Sequence, residues 1–449
     1  MVCAPFDSVM QTVGDRRGVL GRTVGGGIVK RGIWILIVII AVGVFITWRA
    51  FSMSVPHRPD VAATPEMIKR GEYLVQAGDC ISCHTAAGRP AFAGGREFNL
   101  GDMGKLYSPN ITPDRETGIG AWSDDDFRAA MQVGVGKGGD HLYPAMPFAS
   151  FTLVSDEDVV AIKAYLFSLK PVHAVAPENA MRFPYNQRWL MAFWSWMFDS
   201  NERFVADSGQ SPQWNRGKYL VEGLAHCSEC HTPRNMLQAR KSSQAYAGAI
   251  TQGWKAYDIS PDQQSGIGAW TEQAMEAYLS TGFAEGHGPA SGPMAEAVSN
   301  SLRHLTTDDI HSMVVYLRAV KAVPAATAAA SDSGPTGVAT AAQSDPYLTY
   351  GRQLFAGNCA NCHKPDGTAS QSAYEALQGS RTVADPQAIN LTQVVLYGST
   401  LETPNGRVNM PAFGKSHSDT EIAALVDYVS AQLGGHSAAL TPEEIAKRR

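Results

Sequence analysis

The sequence has little cysteine outside one recurring motif and little charge. It contains seven cysteines in 449 residues, and all of them except Cys3, to which no function is assigned, lie in three Cys-x-x-Cys-His motifs. A zinc ribbon needs a second pair of ligands close to the first, and no second pair follows any of these motifs within a short distance. Charged residues make up 18% of the chain, and the net charge is −5. Because the N-terminal basic residues surround an apolar run, the sequence does not predict nucleic-acid binding.

The three motifs are typical of covalent attachment of a c-type haem. Two thiols form thioethers to the porphyrin, and the following histidine binds the iron. A redox dithiol would not need a histidine at the same place three times. The sequence therefore predicts three haem c groups, attached at Cys80 and Cys83, at Cys227 and Cys230, and at Cys359 and Cys362, with His84, His231 and His363 as iron ligands.

Flanking patterns recur with the motifs and predict a mainly α fold. A helix containing Gly71, Gly217 or Gly351 runs into each motif, and the glycine would allow another helix to approach closely. A second helix, announced by a capping pattern at Ser155, Thr306 or Ser418, ends each repeat. We call these the opening and closing helices. A tyrosine follows at a constant distance in each closing helix, as Tyr165, Tyr316 and Tyr428.

Length and spacing divide the chain into three repeats with connecting segments. At about 150 residues per domain, 449 residues predict three domains. The predicted cytochrome domains are domain 1 at 65–170, domain 2 at 213–320 and domain 3 at 347–435. The other predicted segments are a cytoplasmic segment at 1–32, a membrane anchor or signal segment at 33–50, an aromatic segment at 171–212, a flexible linker at 321–346 and a polar tail at 436–449.

An apolar run at 33–47 points to a membrane segment. Basic residues precede it, which favours an N-terminus in the cytoplasm. Trp48 and Arg49 lie where interfacial anchors lie, and no clear Ala-x-Ala cleavage site follows, which favours an uncleaved anchor over a signal peptide. Either alternative exports the haem domains. The expected location is the cytoplasmic (inner) membrane, with these domains facing the periplasm.

The aromatic segment at 171–212 is rich in Trp, Phe and Met between 183 and 198. One interpretation is packing between domains 1 and 2. The other is an exposed aromatic patch that contacts a partner or the membrane surface.

A methionine in each repeat is the candidate sixth iron ligand, because a thioether is typical of electron-carrier cytochromes. Met146, Met294 and Met410 each precede the closing helix. They lie in stretches that contain Pro or Gly and are expected to be loops. His287 and His304 are alternatives to Met294.

A repeated sequence pattern between the motif and the methionine, which we call the repeated phrase, contains candidate haem propionate contacts. It runs over 107–122 in the first repeat and over 257–270 in the second. Asn110, Trp122 and Trp270 carry amide or indole N–H groups that can donate to a carboxylate. The alternative is that the tryptophans only wall the core.

Together these motifs resemble the class I cytochrome c pattern and, more closely, the triheme cytochrome c subunits of membrane-bound dehydrogenases. The stretches that carry the closer resemblance are 71–85, 107–122, 141–147, 186–190 and 292–296. The resemblance implies three tandem class I domains that accept electrons from a periplasmic catalytic subunit with pyrroloquinoline quinone, flavin or molybdopterin. It also implies ubiquinone or a terminal oxidase as acceptor, and no catalytic residues in this chain. A retained N-terminal helix departs from most alcohol and gluconate dehydrogenase subunits and favours a molybdenum-type partner.

Two other functions remain open at this stage. A cytochrome subunit of a haem–copper oxidase would also combine an anchor helix with c-type domains. A self-contained haem oxidoreductase would need one iron without a sixth ligand.

Overall fold

The computed structural model describes residues 25–323 and 346–449, with side chains from residue 33 onward. The chain forms two units, which divide after Ser52. The described part of the first unit is helix α1 (Gly25–Phe51). Its stretch Ile33–Phe51 has a mean hydropathy of 2.4 and is long and apolar enough to cross a membrane, although a signal sequence shares these properties. Most of the predicted cytoplasmic segment, residues 1–24, lies outside the described residues.

Three helix pairs recur in the second unit, Met53–Arg449. The opening helices are α2 (Pro65–Ala77), α8 (Pro212–Lys218) and α13 (Pro346–Asn358). The closing helices are α6 (Asp156–Ser168), α12 (Thr307–Ala319) and α17 (Asp419–Leu433). The predicted caps are confirmed, since the hydroxyls of Ser155, Thr306 and Ser418 each accept a hydrogen bond from the backbone N–H three residues later.

Each opening helix crosses its closing helix at the predicted glycine. A Cβ on that glycine would lie about 2 Å from a backbone carbonyl oxygen of the closing helix. Cβ atoms in proteins essentially never come closer than 3.0 Å to an atom elsewhere in the chain, so the two helices would have to move apart. The distances are 1.8 Å from Gly71 to Ala161, 1.9 Å from Gly217 to Ser312 and 2.1 Å from Gly351 to Ala424. The Cβ of the recurring tyrosine also lies at each crossing, 2.7 to 2.9 Å from the same point. The sequence pattern thus encodes a helix contact in which only glycine fits.

The remaining elements are short, and the fold is mainly α as predicted. The other α-helices are α3 (Cys80–His84), α4 (Asp124–Val133), α5 (Phe148–Phe151), α7 (Leu190–Phe198), α9 (Ser228–His231), α10 (Glu272–Thr281), α11 (Gly292–Asn300), α14 (Ala360–His363), α15 (Arg381–Ala384), α16 (Ile389–Tyr397) and α18 (Pro442–Arg448). The 3₁₀ turns are Gly101–Met103, Ser242–Gln244, Leu302–His304 and Ala373–Glu375.

All strand pairs in the described residues are antiparallel. A three-stranded sheet contains β1 (Glu97–Asn99), β2 (Gly104–Tyr107) and β3 (Ala180–Met181). The two-stranded sheets are β4 (Ala249–Thr251) with β5 (Trp254–Ala256), β6 (Phe283–Ala284) with β7 (Gly288–Pro289), and β8 (Ser399–Thr403) with β9 (Gly406–Met410).

The second repeat has one residue more than the first between the opening-helix glycine and the first motif cysteine. A π-helical turn, Tyr219–Leu224, continues α8 at this place, whereas α2 remains α-helical to Ala77. The wider turn absorbs the inserted residue without breaking the helix.

Repeats 1 and 2 contact each other through a reciprocal pair of hydrogen bonds. Tyr73 of the first repeat donates to Asp309 of the second at 2.5 Å, and Tyr219 of the second donates to Asp158 of the first at 2.6 Å. Each carboxylate also accepts from an arginine of its own opening helix. The two repeats therefore exchange equivalent contacts, as in an isologous interface.

Repeat 3 packs directly against repeat 2. The Lys255 ammonium lies 2.8 Å from a carboxylate oxygen of Asp385, and the Asn390 amide exchanges two 2.8 Å hydrogen bonds with the backbone of Lys255. The rings of Phe283 and Tyr374 lie 5.0 Å apart. Most of the predicted flexible linker, residues 324–345, lies outside the described residues. The side-chain contacts hold repeat 3 against repeat 2.

The aromatic segment has one face packed between repeats 1 and 2 and other side chains exposed. On the buried face of α7, the Trp194 indole N–H donates to the carbonyl oxygen of Leu237 in repeat 2 at 2.8 Å, and its ring packs edge-on against Phe148 of repeat 1. Phe183 and Trp189 are exposed, at 78% and 53%. The segment therefore bridges repeats 1 and 2 and also presents aromatic side chains to solvent.

The predicted polar tail at 436–449 contains a packed helix. Helix α18 packs on repeat 3 with Ile445 fully buried, and Leu440 is 6% exposed. The Arg448 guanidinium donates to the hydroxyl of Thr392 at 2.8 Å. The composition of the segment did not predict this helix, because most of its residues are polar and face solvent and only a few apolar ones are buried.

Candidate functional site

Each Cys-x-x-Cys-His motif forms a short helix at the end of an opening helix, namely α3, α9 and α14. Burial raises the pKa of the Cys80 and Cys227 thiols to about 12. A redox-active dithiol needs the opposite shift, because the thiolate is the nucleophile. In residues 25–323 and 346–449, no group of three His, Cys, Asp or Glu side chains is arranged to hold a metal ion. The geometry therefore favours neither the dithiol nor the zinc interpretation.

All three motif histidines use the same ring nitrogen to hold their orientation. Their Nδ1 atoms lie at hydrogen-bond distance from backbone carbonyl oxygens: His84 from Pro109 (2.8 Å), His231 from Tyr257 (2.6 Å) and His363 from Glu375 (2.5 Å). A carbonyl can only accept, so Nδ1 carries the proton and Nε2 keeps its lone pair for a metal. Burial lowers the pKa of His84 and His231, which keeps these rings neutral.

The repeated phrase after each of the first two motifs positions these carbonyl acceptors. Its glycines pack against backbone, since a Cβ on Gly118 would lie 2.3 Å from the carbonyl oxygen of Thr112, and one on Gly266 would lie 2.0 Å from that of Ser260. The acceptors at Pro109, Tyr257 and Glu375 are not among the residues predicted from the sequence. A backbone carbonyl is present at every residue, so no side-chain pattern could have identified them.

Asn110 does not fit the predicted role of propionate contact. Its amide nitrogen donates to the carbonyl oxygen of Val172 at 2.7 Å and to the hydroxyl of Thr117 at 3.1 Å. Its amide oxygen accepts from the backbone N–H of Thr112 at 2.9 Å. Because both amide protons already have protein acceptors, Asn110 holds the loop that orients His84.

Trp122 and Trp270 lie partly buried against the shared core of repeats 1 and 2. The ring of His287 stacks on Trp270, with centroids 3.6 Å apart. His304 is exposed on a 3₁₀ turn. The contacts of these two histidines make them poorer candidates than Met294 for the iron of the second repeat.

The three candidate methionines are partly buried against the cores of their repeats, but only one lies in a loop. Met146 lies in the predicted loop before α5. Met294 lies in the first turn of α11, which begins with Gly292 and Pro293, and Met410 is the last residue of β9. The loop prediction is wrong for these two because proline is favoured in the first helical turn and strand pairing extends β9 to Met410.

Repeats 1 and 2 place each motif helix against the methionine-bearing region of the other repeat. Ser82 of α3 accepts a hydrogen bond from the Asn300 amide of α11 at 2.9 Å. Ser150, next to the first methionine region in α5, donates to the Glu229 carboxylate of α9 at 3.0 Å. These reciprocal contacts place the first two motifs at one interface.

The residues fit a covalent c-type haem at each motif. Two cysteines precede an oriented histidine, and a partly buried thioether belongs to the same repeat. When bound, such a group supplies an iron that gains and loses one electron. The protein fixes the orientation of each imidazole.

Comparisons with known proteins agree with this chemistry. Residues 68–170 match the cytochrome c family model, and residues 348–429 match the model described as cytochrome c oxidase, cbb3-type, subunit III. The fructose dehydrogenase cytochrome subunit of Gluconobacter japonicus is 37% identical over 412 residues, 88% of this chain and 83% of that protein. The gluconate 2-dehydrogenase cytochrome c subunit of Pantoea cypripedii is 35% identical over 405 residues, 87% of this chain and 91% of that protein.

A longer relative matches at similar strength. A nicotinate dehydrogenase subunit of Pseudomonas putida is 40% identical over 387 residues, which cover 85% of this chain but 32% of that protein. The chain thus spans about a third of the length of this relative.

Proposed function

This chain belongs to the family of cytochrome c subunits of dehydrogenase complexes, and we propose that it relays electrons from a catalytic dehydrogenase subunit through three covalent haems. The observation that carries the proposal is the shared orientation of His84, His231 and His363, each held through Nδ1 by a backbone carbonyl. This arrangement leaves three equivalent nitrogens for iron. The chain itself carries out no substrate chemistry.

The haem count of three includes the middle repeat, which neither family model covers. Its support is local likeness to the first repeat. The backbone N–H of Gly94 donates to the His84 carbonyl at 2.8 Å, and that of Gly248 donates to the His231 carbonyl at the same distance. The residue after each histidine is Thr85 or Thr232, and its hydroxyl accepts a backbone hydrogen bond at 3.0 Å in both repeats. We therefore assign 213–320 as a third cytochrome c domain, between 65–170 and 347–435.

Met146, Met294 and Met410 are the proposed sixth ligands. Six-coordinate His/Met irons leave no open position for oxygen, peroxide or nitrite, which favours a relay over a self-contained haem oxidoreductase. Trp122 and Trp270 remain proposed propionate contacts. A high-spin signal from one iron of the native protein would instead support the oxidoreductase alternative.

The first two haem sites are proposed to exchange electrons across the interface between their motif helices. The hydrogen bonds from Asn300 to Ser82 and from Ser150 to Glu229 hold this interface. The contacts of repeat 2 with Asp385 and Asn390 connect the third site. The order of electron flow follows the potentials of the three haems.

The proposed donor is a dehydrogenase subunit with pyrroloquinoline quinone, flavin or molybdopterin, and the proposed acceptor is ubiquinone or a terminal oxidase. The apolar stretch Ile33–Phe51 is proposed as an anchor in the cytoplasmic membrane, with the haem domains in the periplasm. The family model that matches 348–429 bears an oxidase description, which makes an oxidase complex the second candidate assembly.

Purification from the native membrane in mild detergent tests this proposal, with identification of every co-purifying protein by mass spectrometry. A dehydrogenase that reduces the haems when its substrate is added would support the relay. A haem–copper oxidase core would contradict it and support the second candidate. Sequencing the mature N-terminus of the same sample would reveal whether the apolar helix is retained.

A further inference from the structure

Arg381 of repeat 3 extends into repeat 2 at the loop that orients the second motif histidine. It is the first residue of α15. Its guanidinium Nη1 donates to the carbonyl oxygen of Asp258 at 3.2 Å, and its central carbon lies 4.8 Å from the centre of the Tyr257 ring. The carbonyl of the same Tyr257 accepts from His231 Nδ1 at 2.6 Å. One residue of the third repeat thus contacts the support of the second iron ligand.

Two side chains near Arg381, Tyr278 and His287, pack against the ring of Trp270, with centroids 5.5 and 3.6 Å away. Burial lowers the pKa of His287, and the positive charge of Arg381 lowers it further. Burial also raises the pKa of Tyr278 to about 12, and the Arg381 charge opposes that shift. The guanidinium therefore lies within electrostatic reach of His287 and Tyr278.

Arg381 has no carboxylate partner at ion-pair distance among the described residues. The neighbouring interface cation, Lys255, is paired with Asp385 at 2.8 Å. A partly buried guanidinium with five N–H donors and one backbone acceptor is costly unless an anion balances its charge. Burial lowers the pKa of Arg381 by more than the carboxylates of Asp258 and Asp385, both beyond ion-pair distance, raise it. A further anionic group beside Tyr257 would therefore stabilise the guanidinium charge.

We propose that Arg381 binds a propionate of the haem attached at Cys227 and Cys230 and thereby raises the reduction potential of that haem. This inference rests on the proposed haem at the second motif. A ferric haem carries one more positive charge than a ferrous haem, so a nearby guanidinium favours the reduced form. Arg381 is a positioning residue supplied by the neighbouring repeat.

The first repeat shows that a local support would suffice to hold the histidine. In that repeat, Asn110 occupies the position of Asp258. Its side-chain amide donates a 2.7 Å hydrogen bond to the carbonyl oxygen of Val172, which belongs to the same repeat. The second repeat instead receives a charged side chain from repeat 3. Docking of repeat 3 and the potential of the second haem are therefore coupled.

The test is a redox titration of the full-length, haem-loaded protein, followed by visible absorption. Arg381→Gln is expected to lower the reduction equilibrium constant of one haem by about tenfold, or about 59 mV for a one-electron couple. Arg381→Lys keeps the charge but loses the planar fork, and a smaller fall of about two- to fivefold is expected in the same transition. Arg407→Gln removes a surface charge of repeat 3 that pairs with Glu402, and it should not change the transition that Arg381→Gln lowers.

An unchanged titration in Arg381→Gln, or an equal shift in Arg407→Gln, would overturn the proposal. If Arg381→Gln does not accumulate, Arg381→Lys decides alone, since no change in its titration would also overturn it. Wild-type protein with free thiols at the second motif would remove the premise itself. Three haems in every variant with unaltered potentials would refute only the role of Arg381.

Discussion

Gly351 and Gly357 lie in the same helix, α13, and differ only in what surrounds them. A Cβ on Gly351 would lie 2.1 Å from the carbonyl oxygen of Ala424 and 2.7 Å from the Cβ of Tyr428. No atom lies within 4 Å of the corresponding point on Gly357. The substitution to alanine therefore has opposite consequences at two positions six residues apart.

Gly351→Ala is expected to destabilise repeat 3, because the clash is with backbone and no side-chain rotation relieves it. Overpacking of this kind costs about 1–3 kcal/mol, and more where the helices must separate. Gly357→Ala is expected to stabilise the same repeat by about 0.4–1 kcal/mol, because alanine restricts the unfolded chain and fits a helix. The pair separates the packing effect from the intrinsic effect of replacing glycine.

Hydrogen exchange read by mass spectrometry on the full-length, haem-loaded protein measures this locally. Amides of α17, the partner helix, should exchange about 5- to 150-fold faster in Gly351→Ala, as 1–3 kcal/mol implies. The same amides should exchange no faster than wild type in Gly357→Ala. Equal protection of α17 in both variants would refute the helix crossing at Gly351.

Three further predictions concern the interface, a buried acid and an iron ligand. Tyr219→Phe removes a hydrogen-bond donor to Asp158, which is 2% exposed. The variant should lower the free energy of unfolding in urea by about 1.5–3 kcal/mol. A loss below about 0.5 kcal/mol would contradict the reciprocal contact. Burial raises the pKa of Asp199 to about 6, so its contribution to stability should fall as pH rises from about 4 to 6. Asp199→Asn should abolish that slope and gain about 1–3 kcal/mol at pH 7, and an unchanged pH profile would contradict the assignment. Met410→Ala should make one haem of three high-spin and lower its potential while the other two keep theirs; three low-spin haems would exclude Met410 as a ligand.

The helices and their crossings could be predicted because their causes are local or periodic. The caps at Ser155, Thr306 and Ser418 precede runs of helical period, and Gly71 recurs as Gly217 and Gly351 at a similar distance from a motif. These patterns depend on residue type and spacing, and the structure confirms them. The Cys-x-x-Cys-His motifs are equally local, which is why they predict the haem chemistry without any knowledge of the fold.

The remaining features depend on contacts between distant parts of the chain. Helix α18 was missed because Ile445 finds its core only when repeat 3 is folded. Asn110 was misassigned because the carbonyl of Val172, which satisfies its amide, lies 62 residues away. Arg381 carries no motif, and its significance follows from its position over Tyr257 of another repeat. Contacts of this kind become visible only in the folded molecule.

Intact mass spectrometry of the purified native protein tests the central claim most directly, because covalent haem adds to the mass of the chain. The mass should exceed that of the chain by three haems. The motif cysteines should all resist thiol labelling, namely Cys80, Cys83, Cys227, Cys230, Cys359 and Cys362. Two additions, with Cys227 and Cys230 labelled, would contradict the three-haem relay and leave repeat 2 as a structural module.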